Sequence, residues 1–240
     1  MRLPRIRITA PKLILCLMAG GLSAGTLARA STDLEKARDV QDRTALETAT
    51  RQLSADAQKA PNDAEAQYQA ALASSYLAEV GLEVRDKSQA QRAAEEGIRS
   101  AERAIALKPS NAEYHRILGT LCGQVIPANV LLALSYGKRA RDAIDKALSL
   151  DPHSSKAYLA RGVGNYYLPP AFGGGLDLAI RDFERAIELD KKSAEAYLWL
   201  GLALRKQNQN AQARQAFAKS LELNPNRIWA KQQLDKTPAQ

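Results

Sequence analysis

One stretch near the C-terminus, Ser193 to Pro225 (SAEAYLWLGLALRKQNQNAQARQAFAKSLELNP), constrains this chain more than any other. Apolar residues recur at helical spacing on both sides of Asn208-Gln209-Asn210, so the stretch reads as two helices joined by a tight turn. Gly201 and Ala213 are small where the two helices must cross closely, and Tyr197, Leu200, Leu204 and Phe217 can fill the space around the crossing. Pro225 follows the second helix, which it cannot continue. Such a hairpin cannot bury its apolar face alone, so at least about three are needed for a stable array.

The rest of the chain supplies them. Helix endings of the same grammar stand at 55–61 (ADAQKAP), 104–109 (AIALKP), 147–152 (ALSLDP) and 186–192 (AIELDKK). Equivalent positions Pro61, Pro109, Pro152, Lys191 and Pro225 are 48, 43, 39 and 34 residues apart. Ten residues beyond each of the first four comes a small residue, Ala71, Gly119, Gly162 or Gly201, so the first half of every unit is unaltered. The insertions of 14, 9, 5 and 0 residues therefore fall between the first helix (A) and the second (B), in the A–B turns or the helix ends beside them.

The stretch resembles a tetratricopeptide repeat, a 34-residue helix–turn–helix with the pattern W-x₂-L-G-x₂-Y…A-x₃-F…P. Tyr197, Leu200, Gly201, Ala213, Phe217 and Pro225 carry the match, and the weaker units extend it over most of the chain. The resemblance implies an all-α, right-handed superhelical solenoid of antiparallel helix pairs, here with elaborated A–B turns and a C-terminal capping helix. The expected plan is a signal peptide at 1–30, an N-terminal helical segment at 31–62, and an array over 63–236. Its repeats fall at about 64–109, 111–152, 154–191 and 194–225, followed by a capping helix at 226–235 and a tail at 237–240. Spacing within 33–60 predicts one long first helix, Pro127 a break or kink, and LPPAFGGG at 168–175 a loop.

Residues 1–30 begin with Arg2, Arg5, Arg7 and Lys12, continue as an apolar run from Leu13 to Leu27, and end in Ala28-Arg29-Ala30. That is the form of a cleavable secretory signal, with a mature start at Ser31 and a periplasmic or secreted product. An uncleaved anchor is one alternative and a lipoprotein another, although Leu15 before Cys16 is bulky for a lipobox. The segment holds five of the 34 basic residues and none of the 26 acidic ones, leaving 29 against 26 in the mature chain. The formal charge of +8 is thus mostly export machinery, and no basic block with interleaved aromatics points to nucleic acid. No stable membrane span is expected after cleavage.

Catalytic chemistry is scarcely represented. The two histidines, His115 and His153, belong to no metal-ligand or nucleophile motif, and no catalytic residue, metal site or cofactor is expected. His115 occupies the repeat position of a packed ring, and Cys122 that of a buried apolar residue. Gly173-Gly174-Gly175 lacks the lysine and hydroxyl of a phosphate loop.

The resemblance implies instead an interaction scaffold for a protein or peptide, with homo-oligomerisation an open alternative. Its concave wall would be lined by Tyr68, Leu72 and Tyr76; by Arg116; by Leu159, Val163, Tyr166 and Tyr167; and by Leu198 and Leu202. The Lys and Asn of the family's carboxylate clamp are absent from Tyr68/Leu72, Arg116/Thr120, Leu159/Val163 and Leu198/Leu202, which disfavours an acidic C-terminal peptide. Partner contact is expected to centre on Tyr166, Tyr167 and Phe172; the competing reading has Tyr167 and Phe172 pin their loop against helix B. YYLPPAFGGGLDLAIRDFERAIEL also resembles exported tetratricopeptide proteins of TRAP-type transporters, which raises a ligand-binding accessory as the alternative function. Export is checked by N-terminal sequencing from the native host, which should begin at Ser31; a full-length cytoplasmic product would remove the periplasmic assignment.

Overall fold

The computed structural model describes residues 24–128 and 132–239. Eleven α-helices occur among them: α1 (Ala24–Asp39), α2 (Arg43–Lys59), α3 (Ala64–Glu83), α4 (Lys87–Leu107), α5 (Ala112–Ala128), α6 (Ala133–Leu150), α7 (Ser155–Tyr167), α8 (Leu176–Leu189), α9 (Ala194–Lys206), α10 (Asn210–Leu223) and α11 (Ile228–Asp235). Each packs on the next, and α3, α5, α7 and α9 also touch in series, as the inner layer of a solenoid does. Most of the expected signal peptide, residues 1–23, lies outside the described residues, and 24–30 form the start of α1.

The expected single helix over 33–60 is two helices. Gln41 adopts a left-handed conformation (φ 54°), with Gln41 N–H donating to Arg38 C=O and Asp42 N–H to Ala37 C=O. The Asp42 side chain then caps α2 by accepting from the Ala45 N–H. The same double hydrogen bond recurs at Arg85 (φ 66°) between α3 and α4 and at Asn208 (φ 64°) between α9 and α10. This is a Schellman stop. Because Gln41 and Arg85 are not glycine, the amphipathic spacing continues through the first stop and conceals it. The leading unit is therefore a hairpin of its own, α1 and α2.

The insertions are resolved almost entirely into helix. Helices α3 and α4 have 20 and 21 residues against 13 and 14 in α9 and α10, so each is seven residues longer and together they absorb all 14. Helices α5 and α6 have 17 and 18 residues, four more apiece, which accounts for eight of the nine. Helices α7 and α8 have 13 and 14, so their five-residue excess lies wholly in the connection. The insertion around Val80–Gln89 thus lengthens the helix ends on both sides of a short turn. Pro127 is the penultimate residue of α5, so it marks the end of that helix rather than a break within it.

At the crossings of α5–α6, α7–α8 and α9–α10 a glycine faces a large side chain. A Cβ on Gly201 would lie 2.7 Å from the Phe217 ring, one on Gly162 2.5 Å from the Phe183 ring, and one on Gly119 2.6 Å from Ile144. Phe183 and Phe217 are fully buried, so neither ring has room to retreat. Gly201→Leu should cost about 1–3 kcal/mol or more in chemical denaturation. Unchanged stability would contradict the contact.

Candidate functional site

The expected concave wall divides into two halves with different fates. In the N-terminal half, Leu72 is buried beside Leu34 of α1 in the main core. Tyr68 stacks on Tyr114 at 5.3 Å and donates to Glu113 Oε1 at 2.8 Å. Arg116 is buried and gives a bidentate fork to Glu113, with Nε and Nη2 each at 2.7 Å. Tyr76 donates to Glu35 of α1 at 3.2 Å and lies beneath the Arg38 guanidinium. Internal partners occupy all four side chains.

The centre of this half is a cluster of charges that sequence reading did not identify. Arg227, between α10 and α11, is completely buried. Its Nε donates to Glu195 Oε1 at 2.7 Å and its Nη2 to Glu79 Oε1 at 2.7 Å, while both terminal nitrogens reach Glu83. Arg38 of α1 pairs with Asp39 at 2.7 Å and Glu195 at 3.2 Å, and Asn224 donates to Asp39 Oδ2 at 2.7 Å. Two guanidiniums thus share four carboxylates, drawn from α1, α3, α9 and the segment before α11. The first and last units of the array meet here across 144 residues or more of chain. Charges paired at that separation follow no repeat period, so the sequence carried no signal for them.

The carboxylates do not titrate alike. Burial pushes Glu79 up to about 8, with Glu195 and Glu83 adding to the rise and Arg38 and Arg227 opposing it. Burial likewise raises Glu83 against the pull of Arg227. Burial also opposes ionised Glu195, but Arg227 and Arg38 outweigh it and hold that carboxyl low. Glu79 and Glu83 are therefore the members that burial drives toward the protonated form, which brings the cluster closer to charge balance.

In the C-terminal half Leu198 and Leu202 are buried in the core, and aromatic rings remain at the surface. Tyr166 meets Tyr167 at 5.0 Å and Trp199 at 5.7 Å, and Trp199 meets Trp229 of α11 at 5.4 Å, all edge to face. Lys206 Nζ sits 4.4 Å from the centre of the Tyr166 ring. Leu159 and Val163 back this group beside Phe183. Tyr167 and Phe172 are 53% and 63% exposed, and Tyr167 stands edge-on to Trp199 at 6.1 Å. Hydrogen bonds to its backbone also hold the loop: the Gly175 N–H donates to Asn165 C=O at 2.9 Å, and the Arg141 side chain donates through Nη2 to the Phe172 carbonyl at 3.2 Å. Gly174 is required there, because a Cβ would fall 2.3 Å from the Leu168 carbonyl oxygen. Asp182 anchors the base by accepting from Arg161 and Asn165.

The remaining reactive groups have structural surroundings. His115 is not the packed ring; the neighbouring Tyr114 is, and His115 Nε2 bonds the Pro109 carbonyl oxygen at 2.8 Å. His153 is exposed, and Cys122 is buried with its thiol pushed up to about 11 by desolvation. Among the described residues no His, Cys, Asp and Glu gather in a group able to hold a metal, and no helix is long and apolar enough to cross a membrane.

The cluster makes stability pH-dependent with a definite sign. An unfolded Glu79 titrates near 4.5 and the folded one near 8, so the native state holds the extra proton between those values. This group's contribution to stability is full below pH 4.5, falls as pH rises toward 8, and is level above. In urea denaturation across that range, Glu79→Gln should flatten the decline and be the more stable form at pH 9; an unchanged slope would contradict the assignment. Arg227→Ala strands buried carboxylates and should cost about 3–5 kcal/mol in the same experiment.

Two family models match the chain in adjoining segments. One, described as regulator of microtubule dynamics protein 1-3, matches residues 21–168, and a tetratricopeptide repeat model matches residues 172–228. No curated protein matches. Among solved structures, a thermophilic tetratricopeptide protein of Thermus thermophilus is 17% identical with a TM-score of 0.63, covering 89% of this chain and 98% of its own. YrrB, titled a protein with an unusual peptide-binding site, is 19% identical with a TM-score of 0.42, covering 88% and 98%. PilF of Pseudomonas aeruginosa is 21% identical with a TM-score of 0.45, covering 71% and 68%. The repeated hairpins, their glycine crossings and the match over more than half the sequence make this chain a tetratricopeptide-repeat protein that belongs to the family of regulator of microtubule dynamics proteins 1-3.

Proposed function

We propose that this protein is an exported, non-catalytic scaffold that binds a protein or peptide partner through the C-terminal half of its concave wall. The observation that carries the reading is the exposure of two large rings, Tyr167 set edge-on to Tyr166 and Trp199, and Phe172 in the loop that follows. Tyrosine offers a broad apolar face and a polar tip at low rotamer cost, and one good aromatic anchor is worth about 2 kcal/mol or more in an interface. Leu159 and Val163 extend the surface, whereas Tyr68, Leu72, Tyr76 and Arg116 are spent on internal contacts. Export rests on the charged, apolar and Ala-Arg-Ala parts of residues 1–30. The family description supplies a microtubule-related partner as an alternative that direct capture would identify.

Affinity capture with the unmodified protein and with Tyr167→Ala/Phe172→Ala tests the surface. A binding role predicts about thirtyfold weaker partner capture, as loss of one such anchor implies, at nearly unchanged melting temperature. Capture that survives the double substitution would end the proposal.

A further inference from the structure

Helix α1 meets the rest of the fold through a narrow set of side chains. Leu34 is buried in the main core, Arg38 and Asp39 are buried in the charge cluster, and Asp33, Glu35, Lys36 and Val40 remain exposed. Leu34 and Arg38 are four residues apart and therefore share one face, with Ala37 beside them. That face lies over Tyr76 and Glu79 of α3 and reaches across to Glu195 of α9 and Asn224. The helix thus spans the concave side at the position a bound helix would take, and is tied to α2 through the Val40–Asp42 turn.

Removing α1 changes the charge balance at the site. Arg38 and Asp39 leave with it, and Glu79, Glu83 and Glu195 remain with Arg227 alone. Three partly or fully buried carboxyl groups are then left sharing one guanidinium, so the vacated site favours a cation in the place of Arg38. Beside them the Leu34 position leaves an apolar opening in the core formed with Leu72 and Leu77. An apolar socket one helical turn from an acidic one is a specific request.

We propose that α1 is a self-supplied, displaceable ligand and that the N-terminal half of the groove accepts, in trans, an amphipathic partner helix presenting a leucine and, four residues later, an arginine. This rests on the reading of the chain as a peptide-binding scaffold but concerns a different half of the wall. Cleavage after Ala30 leaves Leu34, Arg38 and Asp39 in place, so export and self-occupancy are compatible. While α1 is seated, apparent affinity for any competitor is reduced by the small fraction of molecules whose site is free.

The test uses the chain from Ser31 onward and a fluorescein-labelled peptide of residues 31–42, followed by anisotropy. A Leu34→Asp/Arg38→Glu protein, whose own helix is ejected, should bind the unmodified peptide about tenfold or more tightly than the unmodified protein does. A peptide carrying Arg38→Glu should fail to bind it. Equal affinity for the two proteins, or binding indifferent to the peptide's arginine, would overturn the proposal. Should the double variant lose its helical circular dichroism, Arg38→Met replaces it: tighter peptide binding than the unmodified protein supports the proposal, and unchanged binding overturns it. A dimer of the unmodified chain that Arg38→Met abolishes would assign the groove to a second copy and overturn the partner helix. Tyr167 and Phe172 lie outside the probed site, so failure here leaves capture through them intact.

Discussion

A guanidinium with no exposure to water must find its counter-charges inside the protein, and the position of Arg227 dictates where they come from. Its carboxylates lie on α3 and α9, helices from opposite ends of the array, so satisfying one side chain fixes the relation between the two ends. Nearest-neighbour packing alone would leave a solenoid free to open or close like a spring. This cluster sets the pitch. It also costs freedom: the acids of the cluster outnumber its cations, and burial drives Glu79 and Glu83 toward their protonated forms.

That arrangement separates two tasks along one wall. The N-terminal half of the inner face is given to closure, through Leu72, Tyr76, Glu79 and Arg38, and the C-terminal half retains exposed rings. The aromatic series from Tyr166 through Trp199 to Trp229 begins near the loop and ends on α11, next to Arg227, which packs against the Trp229 ring at 5.5 Å. The terminal helix therefore belongs to both regions, and a disturbance at either one meets the other through a single indole.

What the sequence disclosed and what it withheld follow from range and conformation. Gly162 with Phe183 and Gly201 with Phe217 were legible because the repeat places a small residue and a ring at fixed offsets, and the structure puts each pair in contact. The division between α1 and α2 was hidden because Gln41 takes a glycine-like conformation without being glycine. The insertions were located between helices A and B, but their form was not, since Val80–Gln89 reads as polar turn and helix alike until the Arg85 stop is seen. In the candidate site Tyr167 and Phe172 stood out by composition, whereas Arg227 is one cation in the capping stretch with no neighbouring acid to mark it. Nothing local distinguishes a buried arginine that takes two of its three closest carboxylates from 144 residues or more away.

The extra residues of the early hairpins have a mechanical meaning. Seven residues add about 10 Å to a helix and four add about 6 Å, and these are close to two turns and one, so the packed faces are preserved as the helices lengthen. Successive hairpins therefore shorten from α3–α4 to α5–α6 to α7–α8, and the molecule tapers along one edge. Longer hairpins share more lateral contact and bend less. The result is a graded beam, stiff where the chain closes on itself and compliant toward α7–α10, and strain imposed on the molecule would concentrate in the half that displays its aromatic rings.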